Sequence, residues 1–204
     1  MKAVLISIRP EWVHKILTGE KTLEVRKTVP KINTPFKCFI YCTLSGSNEL
    51  FREVFNADVA EWNKGKWADK KGNVVAEFIC DSIFSIDVDF TIHDELPGNP
   101  VEEWLTWEDA PDVYEDATNI EKATCLSLKE IMAYIGCGSG CYCWHISDLK
   151  VYDKPKKLSE FYTFKECNSC KVSGYEANAC IYDEDCKVPV IITRPPQSWC
   201  YAED

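Results

Sequence analysis

No stretch of this 204-residue chain approaches the ~18 consecutive apolar residues that a membrane-spanning helix needs. The opening MKAVLISIRP is apolar only from Ala3 to Ile8, is broken by Ser7, and ends at Arg9 and Pro10. That run is too short for a secretory leader and no small-residue cleavage site follows, so a cytoplasmic protein with no membrane role is expected. Basic charge is also scarce: 23 Lys and Arg against 33 Asp and Glu give a formal net charge of −10. A binder that works by neutralising a long run of phosphates needs a basic stripe, and this composition does not supply one. The chain has no phosphate-cradling Walker loop, no dinucleotide fingerprint and no clear Ser–His–Asp order. Internal repeats and low-complexity linkers are absent as well.

The acid is unevenly spread. It gathers between Asp87 and Glu121 and at the C-terminus, whereas the first 40 residues are basic through Lys2, Arg9, Lys15, Lys21, Arg26, Lys27, Lys31 and Lys37. A local basic site on an acidic protein is therefore open. With 46% hydrophobic residues, the chain is long enough for one well-buried core, and a single domain over 1–204 is expected.

The hydrophobic pattern predicts a strand over residues 2–8, then a helix with Pro10 in its first turn, an apolar face of Trp12, Val13, Ile16 and Leu17, and Gly19 as C-terminal cap. Further strands are predicted at 36–42, at 74–86 with a bend near Asp81, at 142–152, and at 188–193 and 198–202 around an Arg194-Pro-Pro-Gln197 turn. Ser127-Leu-Lys-Glu130 is a capping box that starts a short helix, and Leu158 to Phe161 reads as a helical turn. Residues 44–72 and 87–124 read as insertions, the second with a short helix near Val101 to Leu105. About six strands with peripheral helices suit an α+β fold built on a small mixed β-barrel.

Twelve cysteines is a high count, and in a reducing compartment close-spaced thiols more often bind metal than pair. Cys167, Cys170, Cys180 and Cys186 follow C-x2-C-x9-C-x5-C in a polar, turn-rich loop, 167–186. Four thiolates suit structural zinc, which would order a loop with little core of its own; Cys200 is an alternative to Cys180 or Cys186. The competing reading is scattered reduced cysteines. Cys137, Cys141, Cys143 and His145 form a second group, in which the cysteines read better as small buried apolar residues.

In GEKTLEVRK, Gly19 to Lys27, the residues Thr22, Glu24 and Arg26 form a polar row and Leu23 and Val25 an apolar one. By themselves they read as a solvated strand face. Their setting, SIRPEWVHKILTGEKTLEVRK from Ser7 to Lys27, resembles the opening of ASCH domains, a branch of the PUA-like barrels. The G-x-K-x-x-E-x-R pattern is met by Gly19, Lys21, Glu24 and Arg26. VVAEFICDSI (74–83), WHISDLKVYDKP (144–155) and RPPQSWCY (194–201) extend the resemblance, the last two toward phage-associated bacterial members.

The resemblance implies a cleft lined by Lys21, Glu24 and Arg26 that holds RNA, a nucleotide or a modified base. Ser7, Arg9, Trp144, His145, Gln197 and Trp199 complete the implied ligand-binding set, with Arg194 beside them. A Lys and an Arg grip phosphate or carbonyl, a carboxylate accepts from an exocyclic amine, and a Trp offers a stacking face. The resemblance also implies an alternative, an amidohydrolase that deacylates a modified cytidine, with Lys21, Glu24 and Glu77 as catalytic residues. In that scheme the nucleophile position holds Glu24 where relatives place a hydroxyl, and a carboxylate is a poor replacement for an acyl-accepting hydroxyl. A third reading is a protein-interaction adaptor that works through the cysteine loop and the acidic insertion.

Overall fold

The apolar run AVLISI forms the strand β1 (Ala3–Ile8), buried on both faces. A strand covered on both sides reads as a continuous hydrophobic run, and this one lies between a parallel and an antiparallel neighbour. The computed structural model describes residues 3–45, 71–92, 101–107, 110–166 and 187–204. Helix α1 (Pro10–Leu17) follows directly and is closed by Gly19, whose φ of +79° is the left-handed conformation a helix stop favours. The next strands are β2 (Leu23–Arg26), β3 (Phe36–Cys42), β4 (Val74–Cys80) and β5 (Ile83–Ile92). After them come β6 (Val101–Thr106), α2 (Ala117–Thr124), α3 (Leu128–Ile135), β7 (Gly140–His145) and β8 (Ser147–Lys156). A 3-10 turn at Leu158–Glu160 leads to β9 (Tyr162–Glu166), β10 (Lys187–Ile191) and β11 (Trp199–Ala202).

The chain divides into two compact units. The first is Met1–Val13, Lys37–Glu77 and Lys150–Asp204, and the second is His14–Phe36 and Phe78–Leu149. A five-stranded sheet runs in the order β11-β1-β3-β4-β8, with β9 and β10 as a separate pair. In the first unit Leu5, Phe39, Val74, Phe161 and Ile192 form a core, with the Phe39 and Phe161 rings 4.9 Å apart. The second unit has a four-stranded sheet, β2-β7-β5-β6. Its core joins Leu23, Val25, Phe84 and Ile86 to Ile120, Ile131 and Ile135 of α2 and α3. Asp116 caps α2 by accepting from the Thr118 amide, and the capping box at Ser127 and Glu130 opens α3.

The α+β class is as expected, and the small mixed barrel expected from the sequence is not seen as a closed sheet among the described residues. The strands there make three sheets, and none closes on itself. The cause is the partner of β2, which pairs with β7 and so starts a second sheet instead of joining β1 or β3. The helix expected near Val101 to Leu105 is the strand β6, paired with β5 in a register that sets Leu105 opposite Val88. Both side chains pack on the core of the second unit, so a ladder and a buried face decide the conformation of that short segment. The single strand expected over 142–152 is two strands with Ile146 between them, which lets β7 and β8 serve different sheets. The bend near Asp81 is the break between β4 and β5. Most of the 44–72 insertion lies outside the described residues.

Candidate functional site

All of β2 is buried, so the polar row of GEKTLEVRK is not a solvated strand face. Leu23 and Val25 enter the core of the second unit. On the other face Arg26 Nη2 lies 2.9 Å from Glu24 Oε1, and Lys21 Nζ lies 3.5 Å from Glu24 Oε2. Lys21 Nζ also donates to the carbonyls of Leu23 (2.7 Å) and Thr124 (2.8 Å). Thr124 ends α2, so the ammonium satisfies a carbonyl at the negative end of a helix dipole while it offsets a buried carboxylate. Lys21, Glu24 and Arg26 thus form one buried charge network, two cations on one carboxylate, with all three between 3% and 8% exposed.

Strand pairing extends the row across the sheet. Glu24 is opposite Trp144, which is opposite Ile83; Arg26 is opposite Tyr142, which is opposite Ser85. Directly paired residues share a face, so Arg26, Tyr142 and Ser85 form a polar line. The line ends at a cleft of about 410 Å³ between β5, β7 and the 29–34 loop that follows β2. Its apolar walls are Val29, Pro30, Ile32 and Ile83, and its polar groups belong to Asn33, Thr34, Ser85 and Tyr142. Among the described residues none with a charged side chain lines it. Ser85 donates its hydroxyl to Asp87 at 2.8 Å. The Lys21–Glu24–Arg26 network is not part of this lining.

Trp144 and His145 are consecutive in β7 and therefore face opposite ways. Trp144 is fully buried, with its ring edge-on to Phe36 at 5.8 Å, and a ring so packed presents no open face to a base. His145 is partly exposed, and its Nδ1 lies 2.6 Å from Asp81 Oδ1. Burial pushes the Asp81 carboxyl up, but the hydrogen bond and charge of His145 outweigh it and hold the group below its ordinary value. Tyr114 stands beside His145 with ring centroids 6.3 Å apart and stacks on Phe84. Burial raises its phenol. Asp81 was not singled out as a functional residue from the sequence. It is 64 positions from His145, and the two meet because the His145 amide donates to the Ser82 carbonyl at the break after β4.

Ser7, Arg9, Gln197 and Trp199 belong to the first unit. Ser7 Oγ donates to the Pro196 carbonyl (2.7 Å) and its amide to Ser198, which ties β1 to the Pro-Pro turn. Trp199 pairs with Ile6 and its ring meets that of Tyr201. Arg9, Arg194 and Gln197 are exposed, and the Arg9 carbonyl accepts the first amides of α1. Glu77 also lies in this unit, where it accepts from the Tyr152 hydroxyl at 2.5 Å, with Lys37 at 3.6 Å and Lys150 at 3.7 Å. Burial and then Glu77 push the Tyr152 phenol well up. Of the hydrolase set, then, Lys21 and Glu24 touch one another, and Glu77 has partners of its own.

Cys167, Cys170, Cys180 and Cys186 lie outside the described residues. Among the described residues no three His, Cys, Asp or Glu side chains are grouped to hold a metal ion. Cys141 and Cys143 are core members of the second unit; burial pushes the Cys141 thiol up to about 12 and raises that of Cys143 as well. Cys200 sits in β11 opposite Leu5, and burial raises its thiol too. No helix among the described residues is long and apolar enough to cross a membrane.

No family model and no curated protein sequence matches the chain. Solved structures are similar to it. The ASCH protein of Zymomonas mobilis has a TM-score of 0.48 and 14% identity, over 98% of this chain and 86% of that one. A tyrosine-to-phenylalanine variant of the same protein gives 0.48 and 14% over 98% and 90%. A serine-to-alanine variant gives 0.47 and 13% over 98% and 87%. ASCH is also the class that the sequence resembles.

Proposed function

We propose that the chain is an ASCH-type binding module that recognises RNA, a nucleotide or a modified base through the β2-β7-β5 sheet of its second unit. The observation that carries this reading is the polar line Arg26–Tyr142–Ser85, which leads from a buried charge network into a cleft of about 410 Å³. That volume is within the range of small-molecule sites, and the open lining mixes polar and apolar groups. The role of Lys21, Glu24 and Arg26 in this reading is to hold β2 and its cleft wall rigid, since the Glu24 carboxylate bridges both cations. The same matching argues for a grip over a catalyst, because both Glu24 oxygens are occupied by cations and neither is left to activate water.

A thermal-shift screen with nucleosides, nucleotides and short RNAs tests the reading. At least one should raise the melting temperature, and Tyr142→Ala should abolish the rise. No shift with any of them would end this reading. For the cysteine-rich segment we propose structural zinc, on the spacing of Cys167, Cys170, Cys180 and Cys186 alone. Metal analysis of freshly purified chain should find about one equivalent, and less than about half would count against it.

A further inference from the structure

We propose that β6 and the outward face of the β5–β6 ladder take an extended, basic segment of a partner protein, added to the sheet as a further strand. The cleft beside Tyr142 plays no part in this. β6 stands at the end of the β2-β7-β5-β6 order, so among the described residues β5 is its sole sheet neighbour. In an antiparallel pair alternate residues turn their amide and carbonyl away from the partner strand, and on a terminal strand those groups face outward, toward any added chain. Register separates the two faces of the ladder. Leu105, opposite Val88, packs with it on the core of the second unit. Trp104 opposite Asp89 and Thr106 opposite Asp87 therefore share the other face. There Trp104 is 39% exposed, and both aspartates are exposed as well.

An exposed indole on a terminal strand invites association, and the charge around it selects the occupant. Asp87 and Asp89 are two positions apart on one face, about 7 Å along the strand. Every second side chain of an extended peptide repeats at that same distance, so Lys or Arg at alternate positions meets both carboxylates. Asp89 is the ladder partner of Trp104, so one guanidinium can lie on the indole and reach a carboxylate together. Ser85 donates its hydroxyl to Asp87 Oδ2 at 2.8 Å, which fixes that carboxylate on the face. Gly140, opposite Asp87 on β7, places no side chain over it. A second copy of this chain is the wrong occupant. β6 reads VEEWLT, and pairing it with another β6 brings two acidic strands together. The same strand has neither the Lys nor the Pro that commonly blocks an edge. A net charge of −10 favours the approach of a basic partner.

The experiment is fluorescence anisotropy of dye-labelled peptides with the full chain at about 0.15 M salt. One peptide alternates Arg and Thr over about eight residues, a second has the same composition with its Arg residues in one block, and a third is the alternating peptide N-methylated on every second amide. The alternating peptide should bind at least about fivefold more tightly than the block peptide, and N-methylation along the pairing edge should weaken it about tenfold or more. Trp104→Ala and Asp89→Lys should each weaken it about tenfold, and Trp104→Phe, which keeps a ring, should retain most of the affinity. Asp112→Asn, at an exposed acid off the ladder, should leave it within about twofold. No binding by any peptide, equal binding of the alternating and block peptides, indifference to N-methylation, or an equal loss in Asp112→Asn would overturn the proposal. A concentration-dependent dimer of the chain that is lost in Trp104→Ala would give the face to a second copy and overturn it too. None of these outcomes bears on the cleft, whose test is the nucleoside and RNA screen.

Discussion

Lys21 shows how one side chain can look like a ligand contact in sequence and act as a brace in the fold. Its ammonium meets two carbonyls and a carboxylate, all of them buried. Removing the ammonium takes the donor from two buried carbonyls and one of two cations from Glu24, which keeps Arg26, so Lys21→Ala should cost about 2–3 kcal/mol in urea unfolding. A loss under about 1 kcal/mol would mean that the network contributes little. The spacing of Lys21, Glu24 and Arg26 was legible in the sequence because a strand alternates its faces. Their burial was not, because it depends on the distant strand and helix that pack on them.

The Asp81–His145 pair gives a residue-scale test with a pH sign. A carboxyl held below its unfolded value, near 3.9, adds stability that is present above that value and is lost as the pH falls through its folded value. Asp81→Asn should therefore lower the unfolding midpoint modestly at pH 7, and the gap to wild type should close in acid. A gap that persists at pH 2 would assign the effect to something other than charge. Cysteine behaviour separates in the same way. Cys141 and Cys143 are buried and their thiols are raised, whereas Cys137 is exposed. Brief alkylation at pH 8 followed by peptide mass spectrometry should label Cys137 and spare the other two. Labelling of Cys143 at the rate of Cys137 would contradict its place in the core.

At the scale of elements, local signals were readable wherever they are set by adjacent residues. Pro10 and Gly19 bracket α1, and Ser127 with Glu130 opens α3, because caps are chemistry between near neighbours. The strand β6 was misread, since its conformation is set by β5 and not by its own six residues. The break at Ile146 was also unreadable, because an apolar residue can continue a strand as well as end it. Gly140 is a further element-scale constraint. A Cβ there would lie 2.5 Å from the Ile86 carbonyl and 2.5 Å from Asp87 Oδ1. Gly140→Ala should therefore force β7 and β5 apart and cost about 1–3 kcal/mol, measured by urea unfolding. A neutral result would show that the strand pair gives way without strain.

For the whole molecule, composition narrowed the function more than it narrowed the architecture. The acidic balance and the missing basic stripe point away from long phosphate tracking, and a cleft without charged lining agrees with them. The division into two units could not be read from the sequence, because each is assembled from separated segments with no linker to mark the change. Of the implied ligand set, Ser7, Arg9, Gln197 and Trp199 belong to one unit and Lys21, Glu24, Arg26, Trp144 and His145 to the other. The cleft residues Asn33, Thr34 and Ser85 carried no sequence signal, since small polar residues in a loop and on a strand are ordinary at any position.

The central claim is the proposal that RNA, a nucleotide or a modified base is held by the second unit, in the cleft beside Tyr142. The most direct test is an amide NMR titration of the labelled chain with the nucleoside that binds best. The account predicts shifts concentrated at 29–34, 83–85 and Tyr142. Shifts confined to Ser7, Arg9, Gln197 and Trp199, with the cleft unmoved, would contradict it.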